Sequence, residues 1–192
     1  MSYDISLKDP VTKETIELKE PHFIRGGTYA VGGTKELWLN ITYNYAHYYY
    51  EATDKDPRFA HDEVSCYYAD GTTGPIKTEY GIRGIYGKTG AESIPMLEDM
   101  IQRITEKYQK DGEWIVTKRT KAHFYDENGK EWEDYPRLIL SGAKYTKEEC
   151  EVEISEGPND NYWEDTAANA IRPLHQLIAF ARMCPDGIWD GD

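Results

Sequence analysis

The sequence contains little cysteine, little phenylalanine and no long apolar run. Its three cysteines, Cys66, Cys150 and Cys184, form no CxxC pair and have no histidine at zinc-ligand spacing. This pattern predicts reduced thiols, with neither a disulfide framework nor a metal site. No apolar run reaches the roughly 20 residues that cross a membrane, and the first residues lack a signal-peptide pattern. We therefore expect a cytoplasmic protein that makes no membrane contact.

Basic residues are in the minority. The chain has 22 lysines and arginines against 35 acidic residues, which gives a net charge of −13. Such a charge repels nucleic acids and anionic membranes, so direct binding of nucleic acid is not expected. Aromatic residues are plentiful, with 16 tyrosines and five tryptophans in 192 residues. Disordered chains lack aromatics, so the composition predicts a folded, single domain over residues 1–192.

Hydrophobic periodicity predicts an α+β fold in which an antiparallel sheet packs against two main helices. Alternating residues indicate a β-hairpin formed by 3–8 and 14–19, and a strand over 36–45. A 3.6-residue period predicts one helix over 90–110, begun by a capping box of Thr89 and Glu92. A second helix is expected over 165–183, and 188–192 is expected to be a tail.

Residues 111–160 differ from the rest in being acidic and rich in strand and turn signals. Asn128-Gly129 is a strong turn signal, and apolar residues predict strands at 138–140 and 150–154. We interpret 111–160 as a β-hairpin-rich insertion or subdomain. Residues 53–63 are interpreted as a charged surface loop.

Several polar residues are candidates for an anion-binding pocket. Lys88 and Thr89 stand at a predicted helix start, where backbone N–H groups favour anions, although Ile82 occupies a position where a phosphate-binding loop needs glycine. The alternative is an ordinary capped helix with a solvated lysine, which is the commoner arrangement. The polar face of strand 36–45 lines a pocket if that strand is central, and is an ordinary exposed face if it is not. The candidate ligand-binding residues are Arg25, Tyr29, Asn40, Asn44, Arg83, Lys88 and Thr89.

Tyrosines cluster between residues 43 and 50. They are either packed in the core or exposed as a surface that binds another protein, because tyrosine offers contact area at a low entropic cost. The candidate partner-binding residues are Tyr48, Tyr49, Tyr50, Glu149, Glu151 and Glu153. No histidine lies in a metal or nucleophile motif, so no catalytic residue and no cofactor is assigned, and a non-enzymatic role is favoured.

Four segments together resemble a family of small proteins encoded by tailed phages and prophages. They are residues 25–30 (RGGTYA), 37–46 (LWLNITYNYA), 81–95 (GIRGIYGKTGAESIP) and 185–192 (PDGIWDGD). Segments 51–80 and 111–160 are additional relative to that family. The resemblance implies a phage protein acting in the bacterial cytoplasm, and it implies no catalytic residues.

Three functional hypotheses are compatible with these features. The favoured one is a phage-encoded acidic protein that binds and inhibits a host protein, such as a CRISPR effector or another defence nuclease. The alternative is a protein that binds or converts a small anionic, nucleotide-like ligand. A third is a virion assembly protein. The sequence leaves the oligomeric state open.

Overall fold

A computed structural model describes residues 2–22, 34–132 and 135–192. Within them the chain is a mixed α+β protein whose small sheets are antiparallel, which confirms the predicted fold class. The chain divides into two compact units, which we call the main unit (1–114 with 157–192) and the ribbon unit (115–156). The ribbon unit falls inside the segment interpreted as an insertion. None of the helices in the described ranges is long and apolar enough to cross a membrane.

The elements follow one another along the chain in this order: β1 (Ser2–Lys8), β2 (Glu17–His22), β3 (Thr34–Glu36), β4 (Trp38–Thr42), a 3-10 turn (Tyr43–Tyr45), α1 (Ala46–Thr53), β5 (His61–Val64), β6 (Ile76–Glu79), a second 3-10 turn (Ile82–Ile85), α2 (Gly90–Tyr108), β7 (Gln109–Lys110), β8 (Glu113–Trp114), β9 (Val116–Asp126), α3 (Tyr135–Ser141), β10 (Tyr145–Ser155), α4 (Ala167–Met183) and β11 (Ile188–Gly191).

The main sheet has the order β11-β1-β4. Ile5 lies opposite Leu39 of β4, and Leu7 lies opposite Trp189 of β11, so apolar residues of all three strands share one buried face. The expected hairpin of 3–8 with 14–19 forms only next to its turn, where Lys8 pairs with Thr15 and the Ile16 N–H donates to Leu7 O. The expected tail is wrong, because Ile188–Gly191 form β11. The turn does form, because the Asp9 carboxylate accepts two backbone N–H groups. The partners of β1, however, are strands that bring apolar side chains to its buried face.

The two long helices pack closely on each other. The capping box at the start of α2 forms as predicted. A Cβ on Gly90 would lie 2.8 Å from the backbone oxygen of Cys184, so only glycine permits this approach of α2 to the end of α4. The indole N–H of Trp189 donates to Ser93 Oγ at 2.7 Å and ties β11 to α2. The core of the main unit thus lies between the sheet and these helices.

The predicted strand 36–45 is shorter than expected. It ends at Thr42, whose hydroxyl accepts the N–H of Asn44 and begins a 3-10 turn. Tyr43 and Asn44 therefore leave the strand, and their side chains no longer follow its alternation.

The ribbon unit consists of one long antiparallel strand pair and a short helix. β9 and β10 pair without a break from Val116 opposite Ser155 to Asp126 opposite Tyr145. The strand expected at 138–140 is wrong, because these residues belong to α3. That helix ends at Ser141 and is followed by Gly142, which adopts φ +68° and donates its N–H to the carbonyl of Ile139. A short apolar run fits a helix or a strand equally well, so the sequence pattern of 138–140 does not distinguish the two.

Candidate functional site: the arginine cleft

The main unit carries an open cleft of about 610 Å³ beside Arg83, which we call the arginine cleft. It lies between β5, the turn that holds Arg83, the loop before α2 and the end of β11. Small-molecule sites have volumes of roughly 300 to 1,000 Å³, so the cleft is of suitable size. Six of its lining side chains carry the chemistry discussed below: His61, Asp62, Glu63, Tyr67, Arg83 and Lys88.

Arg83 is held in one orientation by three neighbours. Its Nη1 donates to Glu63 Oε1 at 2.8 Å and to Tyr43 Oη at 3.3 Å, and its Nε donates to the backbone oxygen of Asp192 at 2.8 Å. Nη2 donates to none of the residues that the structure describes. Burial alone would lower the pKa of Arg83, but Glu63 and the phenol of Tyr43 outweigh it, so that pKa is raised. The guanidinium is thus a fixed cation with one open edge.

A cluster of three tyrosines supports this guanidinium. The ring of Tyr3 stacks on that of Tyr43, with centroids 4.6 Å apart, and the guanidinium carbon lies 5.1 Å from the Tyr3 centroid. The hydroxyls of Tyr43 and Tyr50 are 2.9 Å apart. Burial raises the pKa of Tyr50 to about 12, so its phenol stays neutral. Gly81 makes room for the cluster, because a Cβ there would lie 2.9 Å from the Tyr50 ring.

His61 and Glu63 form the opposite wall. His61 Nδ1 lies 3.0 Å from the backbone oxygen of Phe59, so in the neutral ring Nδ1 carries the proton and Nε2 is the acceptor. His61 Nε2 is buried, lies 3.4 Å from Glu63 Oε1 and has no hydrogen-bond partner among the described residues. The carboxylates of Asp62 and Glu63, which line the cleft, can accept hydrogen bonds from a ligand, whereas His61 Nε2 is covered.

Lys88 is held in place by its backbone. Lys88 O accepts the N–H of Trp189, and Gly87 N–H donates to Trp189 O, so the loop before α2 runs along β11. The Lys88 ammonium forms no ion pair with any residue in the described ranges. Two cationic groups, from Arg83 and Lys88, therefore line one cleft with unused donors.

Thr89, a predicted ligand-binding residue, serves the helix instead. Its hydroxyl accepts the backbone N–H of Glu92, and the Glu92 carboxylate accepts the backbone N–H of Thr89 at 2.8 Å. That carboxylate already occupies the anion position at the start of α2. The interpretation as a capped helix start is thus the one the structure supports for Thr89.

The two predicted asparagines lie outside the cleft. Asn40 Nδ2 donates to Ser2 Oγ and to Asp4 Oδ1, at 2.8 and 2.7 Å, as an ordinary cross-strand pair. Asn44 Nδ2 donates to the backbone oxygen of Trp163 at 2.8 Å. Their assignment to a shared pocket with Lys88 is therefore wrong. Arg25 and Tyr29 lie outside the described residues.

Tyr48 and Tyr49 are fully buried, so their assignment to a partner-binding surface is wrong. Their hydroxyls donate to backbone oxygens of Asp165 and Ala170, at 2.7 and 2.8 Å, which lets a phenol occupy the core. Tyr50 is half-buried in the cluster beside Arg83. The carboxylates at 149, 151 and 153 are exposed on β10, in the ribbon unit.

Sequence reasoning missed the acidic and imidazole wall of the cleft. Residues 53–63 were interpreted as a charged loop, but His61 and Glu63 belong to a strand, where residues two apart share a face. That i, i+2 spacing was the available signal. The contribution of Tyr3 and Tyr43 left no local signal, because it depends on pairing between distant segments.

No protein-family model matches the chain, and neither the curated proteins nor the solved structures contain a detectably similar one. The resemblance to phage proteins therefore stays a prediction. Within the described ranges, no three histidine, cysteine or acidic side chains are placed to hold a metal ion.

Proposed function

We propose that the protein binds a small anionic, nucleotide-like ligand in the arginine cleft. One observation supports the proposal: Arg83 and Lys88 line the same cleft. Arg83 Nη2 donates no hydrogen bond, and the Lys88 ammonium forms no ion pair, within the described part of the chain. In a protein of net charge −13, acidic side chains are abundant enough to pair with such groups. The open Nη2 edge of Arg83, which is paired with Glu63 through Nη1, and the Lys88 ammonium are therefore suited to an anionic ligand.

The chemistry of the walls supports a nucleotide-like guest. A guanidinium edge and an ammonium together match the oxygens of a phosphate or carboxylate group. Asp62 and Glu63 can accept hydrogen bonds from hydroxyl or amino groups on the rest of the ligand. The ring of Tyr67 lines the cleft and is 80% exposed, so a base can stack on it.

A titration of ligands tests this proposal. We expect AMP, ADP and cyclic nucleotides to raise the melting temperature and to bind measurably by isothermal titration calorimetry. Lys88→Gln should weaken the affinity about tenfold, since a hydrogen bond to a charged group contributes roughly 1.5 to 3 kcal/mol.

Lys77→Gln is the matched control, because it makes the same charge change on exposed β6 outside the cleft. It should leave the affinity unchanged. The proposal fails if no nucleotide shifts the melting temperature at millimolar concentration, or if both variants bind like the wild type.

A second candidate function is the phage-encoded binder and inhibitor of a host protein, acting in the bacterial cytoplasm. Two exposed surfaces favour it. The hairpin of β5 and β6 exposes Tyr67, Tyr68 and Ile76, which are 80%, 53% and 69% accessible, and β10 exposes a row of glutamates. Exposed apolar rings of this kind are typical of protein contact surfaces.

Affinity purification from host lysate tests the second candidate. A stoichiometric host protein should co-purify with the wild type, and its retention should fall when Tyr67 and Tyr68 are both changed to serine or when the β10 glutamates are changed to glutamine. Absence of any stoichiometric partner, or retention unaffected by either change, argues against it.

A further inference from the structure

The outer edge of β10 carries backbone groups that nothing in the described chain uses. β9 and β10 form a two-stranded sheet, and an isolated strand pair is only marginally stable in water. The edges of the two strands differ. On β9, Trp132 donates its N–H to the carbonyl of Phe124, and Asp126 donates to that of Lys130, so the end of that edge is covered.

These two bonds also fix which residues of β10 face outward. Phe124 and Asp126 direct their backbone groups away from β10, and in an antiparallel pair the residue opposite such a position also faces outward. The register places Lys118 opposite Glu153, and every second pair follows the same rule. Glu149, Glu151 and Glu153 therefore present N–H and C=O groups along one open edge, without a partner among the described residues.

The side chains of the same three residues indicate what can pair with this edge. Residues two apart on a strand share a face, so the three carboxylates form a row beside the open backbone groups. All three are exposed. Glu149 is paired with Lys147 and Glu151 with Lys118, whereas Glu153 has no ion pair with a described residue. β10 as a whole carries four glutamates and one lysine. A strand lying alongside would place its own alternate side chains directly opposite this acidic row.

We propose that the outer edge of β10 binds an extended, basic segment of a partner protein, with lysine or arginine at every second residue, as a third strand of the ribbon. The backbone ladder supplies the affinity and the alternating charges set the register. This inference rests on the second proposed function, partner binding, and is independent of the arginine cleft.

The test uses the full chain and three synthetic 11-residue peptides. The first alternates lysine with threonine. The second has the same composition with its lysines in one block. The third is the alternating peptide N-methylated on every second residue along one edge, which removes the donors of that edge. We expect the alternating peptide to bind, with slower hydrogen exchange at the amides of 149, 151 and 153, and the other two to bind at least about tenfold more weakly.

Two proline variants identify the edge. Glu151→Pro removes an outward N–H that pairs with nothing in the described chain, so the ribbon should keep its circular dichroism spectrum while peptide binding is lost. Thr120→Pro does the same to the outer edge of β9 and should bind like the wild type. The triple change of Glu149, Glu151 and Glu153 to glutamine keeps the backbone edge and should weaken binding on the order of tenfold.

Equal binding of the alternating and block peptides would reduce the effect to general charge attraction and overturn the inference. Binding that survives in Glu151→Pro, or that Thr120→Pro abolishes, would overturn it as well. A host protein retained equally by wild type and Glu151→Pro would leave partner binding standing while removing strand addition as its mode.

Discussion

The main unit and the ribbon unit are stabilised by different interactions. In the main unit, β1, β4, α2 and α4 bury apolar side chains completely, and even the phenols of Tyr48 and Tyr49 lie in the core. In the ribbon unit, β10 is exposed at nine of its 11 positions. Apolar burial therefore holds the main unit together, whereas the ribbon, apart from the buried Leu138 of α3, depends mainly on its hydrogen-bond ladder and cross-strand pairs.

This difference predicts which part of the chain should unfold locally first. Cross-strand pairs contribute roughly 0.2 to 1 kcal/mol each, while burying one large apolar side chain contributes about 1.5 to 3 kcal/mol. The ribbon should accordingly open at a lower free energy than the core of the main unit. Hydrogen exchange resolved by residue measures both quantities in one experiment.

The largest contrast is expected for one substitution made once in each unit. Leu174→Ala, in the buried face of α4, should lower the free energy of unfolding by about 2 to 5 kcal/mol, because it leaves a cavity. Leu140→Ala, at a leucine that is 85% exposed on α3, should change it by less than about 0.5 kcal/mol. Urea denaturation measures both, and similar losses at the two sites would refute the contrast.

Among the side chains of the ribbon unit that the structure describes, one charged group is fully buried, and its loss should have the next largest effect. Glu156 is fully buried and accepts hydrogen bonds from Arg119 and Thr117. Glu156→Gln should destabilise the ribbon by roughly 1 to 3 kcal/mol, since the ion pair between the buried Glu156 and Arg119 is lost. Exposed Glu153→Gln is the control and should change little. The readout is hydrogen exchange of the β9 and β10 amides, and equal exchange in both variants contradicts the role of Glu156.

The capping box separates stability from ligand binding in the main unit. Thr89→Ala should cost about 1 kcal/mol of stability by removing the cap of α2, and Thr89→Ser should restore most of it. Neither change should alter the nucleotide affinity of the arginine cleft. A loss of nucleotide affinity in both variants at unchanged stability would show that Thr89 is part of the ligand-binding site.

The smallest effect concerns acid stability. Hydrogen bonds from Arg58, and then from Arg103, lower the pKa of Asp56. A lowered pKa contributes stability that is complete above the ordinary aspartate pKa of about 4 and is lost as the pH falls through the folded value. Both arginines are about two-fifths exposed, so the contribution at pH 7 should stay below roughly 1 kcal/mol.

Thermal unfolding of wild type and Asp56→Asn between pH 6 and pH 2 measures the contribution of Asp56 to stability. The wild type should be the more stable protein at pH 6, and the difference should shrink below pH 4. A constant difference over this range would show that Asp56 acts through packing.

In the ribbon, Glu151→Gln breaks a pair that is 63% exposed on both sides and should change stability by less than about 0.5 kcal/mol.

The sequence allowed the local features of the fold to be predicted, and their pairing only in part. The capping box of α2 and the start of α4 at Thr166 depend on residues a few positions apart, and both were close to the prediction. The pairing of β1 with β11 joins residues 180 or more positions apart. This pairing depends on the contact of Trp189 with Leu7 in the core. No local sequence pattern predicts that contact.

The candidate site shows the same division. Lys88 and Arg83 are both predicted ligand-binding residues and both line the arginine cleft, and their binding of a ligand stays a prediction. The assignment of Asn40 failed because its amide found partners on the neighbouring β1 strand. The assignment of Tyr48 and Tyr49 failed because a buried phenol needs only one backbone oxygen, supplied here by Asp165, just before α4, and by Ala170 within it.

The central place of β1 in its sheet constrains the order of events during synthesis. β9 and β10 can pair as soon as residues up to 155 have left the ribosome, but β1 gains its second neighbour only when β11 emerges. At roughly 5 to 20 residues per second, the interval between β4 and β11 lasts from about 8 to 30 seconds. Throughout that time one edge of β1 has no strand beside it, so the nascent chain has a defined period in which chaperones or neighbouring chains can capture that edge.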